Sequence, residues 1–394
     1  MGYLGYECKA DCGSPNVHSS DVPDAVMMLA NRVIAIDHVA HRTHLIALAG
    51  EGESAEQAET WLEHAEQTAR ALLSSETEAE STDSSVGSIE AGDQEQVSFR
   101  CGRGREQYLA DIARCQAALT AGESYEVCLT DQIHTEAAPD PWQLYRLLRR
   151  RNPAPFAAYL KLGELSIVSS SPERFLSVDR DRRVQARPIK GTAPRSSDPV
   201  RDDAQREMLL SDEKTFAEHL MIVDLLRNDL GRVCEVDTVR VPQFMVVEPY
   251  TTVHQLISTI TGILDSSRTP VECVRACFPG GSMTGAPKLR TMGIIDDIER
   301  EARGVYSGAI GYFGLDGSVD LSIVIRTIVI RPGATTIGAG GAIVMQSDPQ
   351  EEFEEILLKA RAPMSTIAEA VTGSDSPEAW TVELEPSVVT AGTS

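Results

Sequence analysis

The sequence predicts an α+β protein, and three observations carry that prediction. The 394 residues hold 42% hydrophobic side chains, enough to bury a large core without metals or disulfides. Apolar runs of period 2 and long apolar stripes of period 3.6 both occur. They do not alternate one for one, so layered sheets with segregated helices are expected rather than a regular βαβ array.

The elements follow in order. Within 1–50, turn-rich sequence carries AVMMLANRVIAIDH and THLIALAG, which predict strands or a strand pair. Residues 51–72 predict an acidic amphipathic helix with Leu62, Ala65 and Ala69 in its apolar stripe. Residues 73–97, rich in Ser, Glu, Thr and Gly, predict a disordered acidic linker. A dense domain is expected over 98–371. It opens with the helix REQYLADIARCQAALTAGES, ending near Gly122, and the strand YEVCLTDQIHTEA. PWQLYRLLRRRNP predicts a helix opened by Pro141 and closed before Pro153. Strands are expected at 156–161, 165–170 and 174–178, then a buried helix in FAEHLMIVDLLRNDLGRV. VYSGAIGYFGLDGSVDLSIVIRTIVI predicts a hairpin turning at Asp316-Gly317. A last helix is expected over 349–369, then a disordered tail over 372–394.

Charge narrows the function. A formal net charge of -23 makes nucleic acid and anionic membrane surfaces poor partners. An anionic substrate would need a bound metal or converging Arg and Lys side chains. Eight cysteines without a Cys-x-x-Cys pair predict reduced thiols, and no apolar run reaches transmembrane length. A cytoplasmic protein is expected.

Several segments have the residue types for chemistry. In DPQEEFEEILLKARA, Asp348 suits an N-cap, Pro349 fits N1 and Glu351 completes a capping box. Glu352, Glu355 and Lys359 share one helix face. They form either a dipole-favoured acidic turn with a Glu355–Lys359 pair, or a carboxylate pair for a hard cation such as Mg2+. Glu218, on a very apolar helix, is a second carboxylate source. PGGSMTGAPK predicts a loop entering a helix, with Thr284 as N-cap, Pro287 near N1 and free N–H groups for an anion. IGAGGAI would let a ligand approach the backbone. Neither loop is a Walker A or dinucleotide fingerprint. His254 in TTVHQLIS and Lys190 in RPIKGT read as structural residues when taken singly. A desolvated Lys190, or one beside another cation, could be a neutral nucleophile.

Together, SSSPERFL, RPIKGT, AEHLMIVDLLRNDLGR, TTVHQLIS, PGGSMTGAPK, VYSGAIGYFG, LSIVIRT, GAGGAIV and DPQEEFEEILLKARA resemble, in that order, the chorismate-utilising enzymes. This family includes anthranilate synthase component I, aminodeoxychorismate synthase component I, and the isochorismate and salicylate synthases. The resemblance spans about 120–365. It implies an anthranilate synthase component I-like two-sheet β-sandwich with outer helices. It also implies an N-terminal truncation, with 1–72 a remnant of an N-terminal lobe. Glu218 and Glu355 match the family's Mg2+ carboxylates, with Glu352 close to the ion. Gly191, Thr192, Thr284, Tyr306, Arg326, Gly340, Gly341, Ala342 and Lys359 match substrate contacts. Glu173 matches a catalytic glutamate, and His254 a proton shuttle beside the leaving hydroxyl.

Lys190 decides the branch. Anthranilate-forming members resemble PIAGT there; members that aminate C4 of chorismate, on the route to 4-aminobenzoate and folate or a related secondary metabolite, resemble PIKGT. The resemblance implies that the lysine amine adds to C2, that ammonia then enters at C4, and that the lysine is expelled. Isochorismate and salicylate synthases carry a water-activating lysine where this chain has Glu126. The amino-transferring relatives often have Gln there, so Glu126 is expected to alter how ammonia is handled. No glutaminase motif is present in the sequence, so ammonia is expected from a glutamine amidotransferase subunit or a fused upstream domain. The alternatives are an anthranilate or isochorismate synthase, or a truncated non-catalytic chorismate-binding protein.

Overall fold

The computed structural model describes residues 1–50, 52–76, 96–250 and 253–384. The chain divides into two compact units. The smaller comprises Met27–Glu90 together with Met1. In it β3 (Arg32–Asp37) and β4 (Arg42–Ala47) form an antiparallel hairpin, followed by α1 (Glu53–Glu76). Asp37 Oδ1 accepts from the N–H groups of Val39 and Ala40 and so closes the hairpin turn.

The larger unit comprises Gly2–Val26 and Ala91–Ser394. Of the first 72 residues, Gly2–Val26 belong to the larger unit, where β1 (Gly2–Leu4) pairs with β15 (Ala309–Phe313). After β2 (Ala25–Met27), its elements are β5 (Val97–Cys101), α2 (Gly104–Thr120), β6 (Glu126–Thr135), α3 (Pro141–Arg151), β7 (Phe156–Leu162), β8 (Leu165–Ser171), β9 (Arg174–Val178), β10 (Arg183–Arg187) and β11 (Ile189–Pro194). Next come α4 (Pro199–Ser211), α5 (Glu213–Gly231), β12 (Arg240–Pro249), β13 (Val253–Ile263), α6 (Pro270–Cys277), β14 (Gly285–Ala286) and α7 (Lys288–Glu299). The unit closes with β15 (Ala309–Phe313), β16 (Val319–Ile323), β17 (Thr327–Arg331), β18 (Ala334–Ile343), α8 (Pro349–Thr372) and β19 (Trp380–Glu383).

Two sheets result. One runs β11-β13-β10-β9-β16-β15-β1-β2 with β12 added on β13; the other runs β19-β5-β6-β18-β17-β8-β7 with β14 added on β6. Tyr3 and Ile310 of the first, with Val324 just past β16, meet Leu165, Ile167 and Val329 of the second in one buried cluster. Helices cover the outer faces. Ile112, Leu148, Ile295, Phe353 and Ile367 from α2, α3, α7 and α8 pack on Leu129, Ile328 and Ile337. Ile222, Leu226 and Cys273 from α5 and α6 pack on Leu176, Val184 and Ile260. Each such fully buried aliphatic or aromatic side chain contributes roughly 1.5–3 kcal/mol. This is the expected α+β sandwich with outer helices.

Local chemistry sets the ends of elements. Asp140 Oδ1 accepts from Gln143 N–H at 2.8 Å and caps α3 ahead of Pro141. The Asp316-Gly317 hairpin forms as expected, with Phe313 opposite Val319. Asp348 Oδ1 accepts from the N–H groups of Gln350 and Glu351, so α8 is capped from one side; the reciprocal bond expected from Glu351 is not among its contacts.

Two boundary expectations are corrected. Of the linker expected over 73–97, residues 77–95 lie outside the described residues, 73–76 continue α1 and Val97 opens β5. Of the tail expected to be disordered over 372–394, residues 385–394 lie outside the described residues, whereas Trp380–Glu383 form β19, parallel to β5, with the Trp380 ring edge-on to Phe99 at 6.1 Å. Its alternating Trp380 and Val382 bury one face, a signal too short to stand out in a polar stretch. All eight cysteines are unpaired, and no helix among the described residues is long and apolar enough to cross a membrane.

Candidate active site

The site grows from an irregularity in β11. Ile189 pairs with Ile257, but Thr192 pairs with Gln255, so the ladder is broken across Lys190 and Gly191. Gly191 has φ +86°, and a Cβ there would lie 2.6 Å from Thr215 Cγ2 and 2.8 Å from Leu209 Cδ1. Only glycine allows this close approach of α4 and α5 to the strand. At the break, Lys190 Nζ lies 3.2 Å from Glu126 Oε1 and 3.4 Å from Glu218 Oε2.

Glu126 opens β6, and the PGGSMTGAPK loop fixes it there. Ala286 pairs with Glu126 and Gly285 with Val127. Gly285 has φ +135°, and any Cβ would stand 2.0 Å from the Glu126 carbonyl oxygen. The loop thus clamps the start of β6, and it enters α7 without the cap expected at Thr284. α7 starts at Lys288, with Pro287 rather than Thr284 at its N-cap. The Thr284 hydroxyl donates to the carbonyls of Gly280 and Gly281 and is used within its own loop. Lys288 Nζ ties the loop down through Asp229 and the carbonyls of Cys277 and Pro279. Ser282 Oγ donates to Glu173 Oε1 at 3.0 Å.

A second cluster stands on α5 and α8. Glu352 Oε1 accepts from Lys214 Nζ at 2.9 Å and Ser347 Oγ at 2.6 Å. Lys359 Nζ pairs with Glu355 at 2.6 Å and donates to the Gly340 carbonyl at 2.9 Å. Gly340, Gly341 and Ala342 lie on β18 opposite Thr130, Leu129 and Cys128 of β6. Lys214 lies within the field of Glu352, Glu218 and Glu355, and Glu355 within that of Lys359, Lys214 and Lys190. The two clusters are thus one electrostatic neighbourhood.

Its titration is shaped by burial and by these pairings. Burial disfavours the Lys190 ammonium, but Glu126 and Glu218 outweigh it and hold the amine above the usual lysine range. A neutral lysine, one possibility raised by the sequence, is not the resting form. Burial pushes the Glu173 carboxyl up to about 7, against the bonds from Ser282 and the Ile189 N–H and the charge of Lys190. Burial also raises Glu355, but its three lysines prevail and lower it. Burial lowers the Arg326 guanidinium while Tyr306 and Glu355 support its charge. The Arg326 carbonyl accepts from Ser170 N–H, but its guanidinium has no hydrogen-bond or ion-pair partner among the described residues, which suits it to an incoming carboxylate.

The structure gathers Lys190, Glu173, Glu218, Glu352, Glu355, Lys359, Arg326 and Tyr306, with Gly191 and the β18 residues beside them. It does not gather every expected residue. Thr192 is exposed in the β11 ladder. His254 is buried, and its Nε2 lies 3.0 Å from Asp202 on α4, out of line for a hydrogen bond, rather than against Lys190 or Glu173. Two participants escaped sequence reasoning. Lys214 stands four residues before Glu218, a spacing that puts both on one face of α5. His219 follows Glu218; its Nε2 is 2.6 Å from Ser258 Oγ, and burial with the Lys190 charge lowers it to about 4, leaving it neutral.

Glu218, Glu355 and Glu352 offer only hard oxygen donors, the kind Mg2+ takes. In this arrangement each is engaged by a lysine, and among the described residues no three Asp, Glu, His or Cys side chains are grouped as a ready metal site. The donor chemistry fits a hard divalent cation that would compete with those lysines.

Residues 1–365 match the family model of the chorismate binding enzymes. The chain is 49% identical over 94% of its length to the chloroplastic aminodeoxychorismate synthase of Arabidopsis thaliana, spanning 40% of that protein. It is 48% identical over 96% of its length to the aminodeoxychorismate synthase of Streptomyces griseus, spanning 51% of it. The chain thus spans about half the length of these curated relatives. Its fold superposes on anthranilate synthase component I from Streptococcus pneumoniae TIGR4 with a TM-score of 0.78 at 30% identity, covering 92% of this chain and 79% of that one.

Proposed function

Because the chain belongs to the chorismate binding enzyme family, we propose that it catalyses the Mg2+-dependent amination of chorismate at C4, yielding 4-amino-4-deoxychorismate on a route to 4-aminobenzoate. One observation carries this reading: Lys190 Nζ stands between Glu126 and Glu218 in the middle of the carboxylate cluster. The names of the Arabidopsis and Streptomyces relatives support it.

In this reading Arg326 and Lys359 receive the carboxylates of chorismate, and Tyr306, Gly191, Gly340, Gly341 and Ala342 flank its ring. Glu218 and Glu355, with Glu352 beside them, would hold Mg2+, which would supply positive charge opposite the ring carboxylate. Lys190 first gives up a proton, with Glu126 the carboxylate nearest to it. Its amine adds to C2, the two ring double bonds shift, and the C4 hydroxyl leaves as water with a proton from Glu173. A carboxyl raised to about 7 retains that proton close to neutral pH. Ammonia then adds to C4, and the returning ring electrons expel the Lys190 nitrogen from C2. A glutamine amidotransferase, separate or joined to this chain, would supply the ammonia.

The test is product analysis after incubation with chorismate, Mg2+ and an ammonium salt. 4-Amino-4-deoxychorismate is the expected product; anthranilate or isochorismate as the main product overturns the reading.

A further inference from the structure

Glu173 is buried, and the one side chain that hydrogen-bonds its carboxyl among the described residues is Ser282, whose Oγ donates to Oε1 at 3.0 Å. Both partners are fixed by their backbones. The Glu173 carbonyl accepts from the Ile323 N–H at 3.0 Å, and Phe175, two residues on, lies edge-on to Phe278 at the start of the Ser282 loop. Behind Ser282, the Met283 carbonyl accepts from Arg303 Nη1 at 2.7 Å. Lys288 fastens the same loop through Asp229 and two carbonyls. The contact between Ser282 and Glu173 is therefore imposed by the fold, not by a chance rotamer. Few other groups act on this carboxyl. They are the Ile189 N–H and the charge of Lys190, both from β11.

A hydroxyl that donates to one oxygen of a carboxyl does two things. It leaves the acid proton to the other oxygen, and it binds the carboxylate more strongly than the acid. We propose that Ser282 is a positioning residue for loss of the C4 hydroxyl: it keeps the proton of Glu173 on Oε2 and stabilises the carboxylate left behind. This rests on the chorismate-amination reading above. In that step the neutral Lys190 nitrogen bonds to C2, the double bonds shift, and the C4–O bond breaks. The Oε2–H bond breaks as its proton passes to the departing oxygen, and water leaves. Glu173 ends with one negative charge and the nitrogen on C2 with one positive charge. The bond from Ser282 strengthens as that negative charge develops, so it favours the transition state over the bound substrate. Ser282 acts through Glu173 alone.

The test is the pH profile of Ser282→Ala. The thermal midpoint first shows that the variant folds. Intact-protein mass spectrometry without ammonium then follows the chorismate-minus-water adduct on Lys190 against pH in both proteins. Losing the bond raises the Glu173 carboxyl further above about 7, so the alkaline limb should move up by about one pH unit. A weaker acid is also a slower one, by less than the same factor, so the rate below the limb should fall about three- to tenfold. The two profiles should therefore cross, with the variant slower below the limb and as fast or faster well above it. The KM for chorismate should change less than about twofold. Ser282→Thr keeps the donor and should restore the parent profile. A variant slowed by one factor at every pH, an unmoved limb, a raised KM or unchanged kinetics overturns the proposal. If Ser282→Ala does not fold, Ser282→Cys, of similar shape with a weaker donor, must show the same crossing in smaller measure. Failure of the unsubstituted protein to form adduct overturns the chorismate reading, and the proposal with it.

Discussion

Two buried ion pairs hang on the same strand, β6, and they are built in opposite ways. Arg303 donates to both oxygens of Glu299, to the carbonyls of Cys128 and Met283 and to Ser307 Oγ. Glu299 also accepts from the backbone and hydroxyl of Thr130, and the Tyr6 ring covers the guanidinium at 4.4 Å. All three Arg303 guanidinium nitrogens and both Glu299 oxygens have a partner within the fold. Two residues before Cys128, the Lys190–Glu126 pair keeps one carboxylate oxygen unused. A saturated pair spends its hydrogen-bonding capacity on the fold; an unsaturated one leaves a buried group that costs stability. Burial and charge alone would not have separated the two.

The largest break in this contrast is expected from Lys190→Ala. Amination should fall below detection, and because the change also strands the buried Glu126 the thermal midpoint should drop as well; retained activity would remove the covalent step. Glu173→Gln should lower the amination rate by roughly 10²–10⁴-fold. The parent rate should also fall as pH rises through about 7, where Glu173 loses its proton, and the variant should lack that limb.

Arg303→Met inverts the outcome, because it strands Glu299 without its partner. Denaturant titration should show a loss of about 3–5 kcal/mol, and a neutral result would mean that the pair is not structural. Glu173 gives a smaller stability effect of known sign. Its folded pKa is raised, so the folded state binds the extra proton, and stability falls as pH rises from about 4.5 through about 7. Glu173→Gln should flatten that slope and gain at most about 3 kcal/mol at pH 8. Smallest is the effect of Mg2+. If Glu218 and Glu355 bind it, the unfolding midpoint should rise with Mg2+, by about 2.7 kcal/mol at a hundredfold excess over the dissociation constant. Glu355→Gln should abolish the rise.

Much of this was legible in the chain itself. The Asp348 cap, the shared face of Glu352, Glu355 and Lys359, and the hairpin at Asp316 follow from local spacing and appear where expected. What local spacing cannot carry is who meets whom across the fold. Lys190 lies 64 positions from Glu126 and 28 from Glu218, so their contact depends on sheet order and on the break at Gly191. Thr284 does not cap α7 because its hydroxyl is spent on the Gly280 and Gly281 carbonyls of its own loop. That His254 lies beside Asp202 could not be read either, because no periodicity announces where α4 docks. Lys214 was within reach of the sequence, four residues from Glu218 on one helix face.

The strand β19 gives the molecule its own optical probe. Trp380 is one of three tryptophans, and it lies edge-on to Phe99 in the strand that pairs with β6, the strand that starts at Glu126. Trp142 sits elsewhere, stacked on Tyr145, and Trp61 belongs to the smaller unit. With those two replaced by phenylalanine, the emission of Trp380 alone would follow the edge of the sheet that holds Glu126 in real time. A red shift would then report that edge opening to water before any activity assay could detect it.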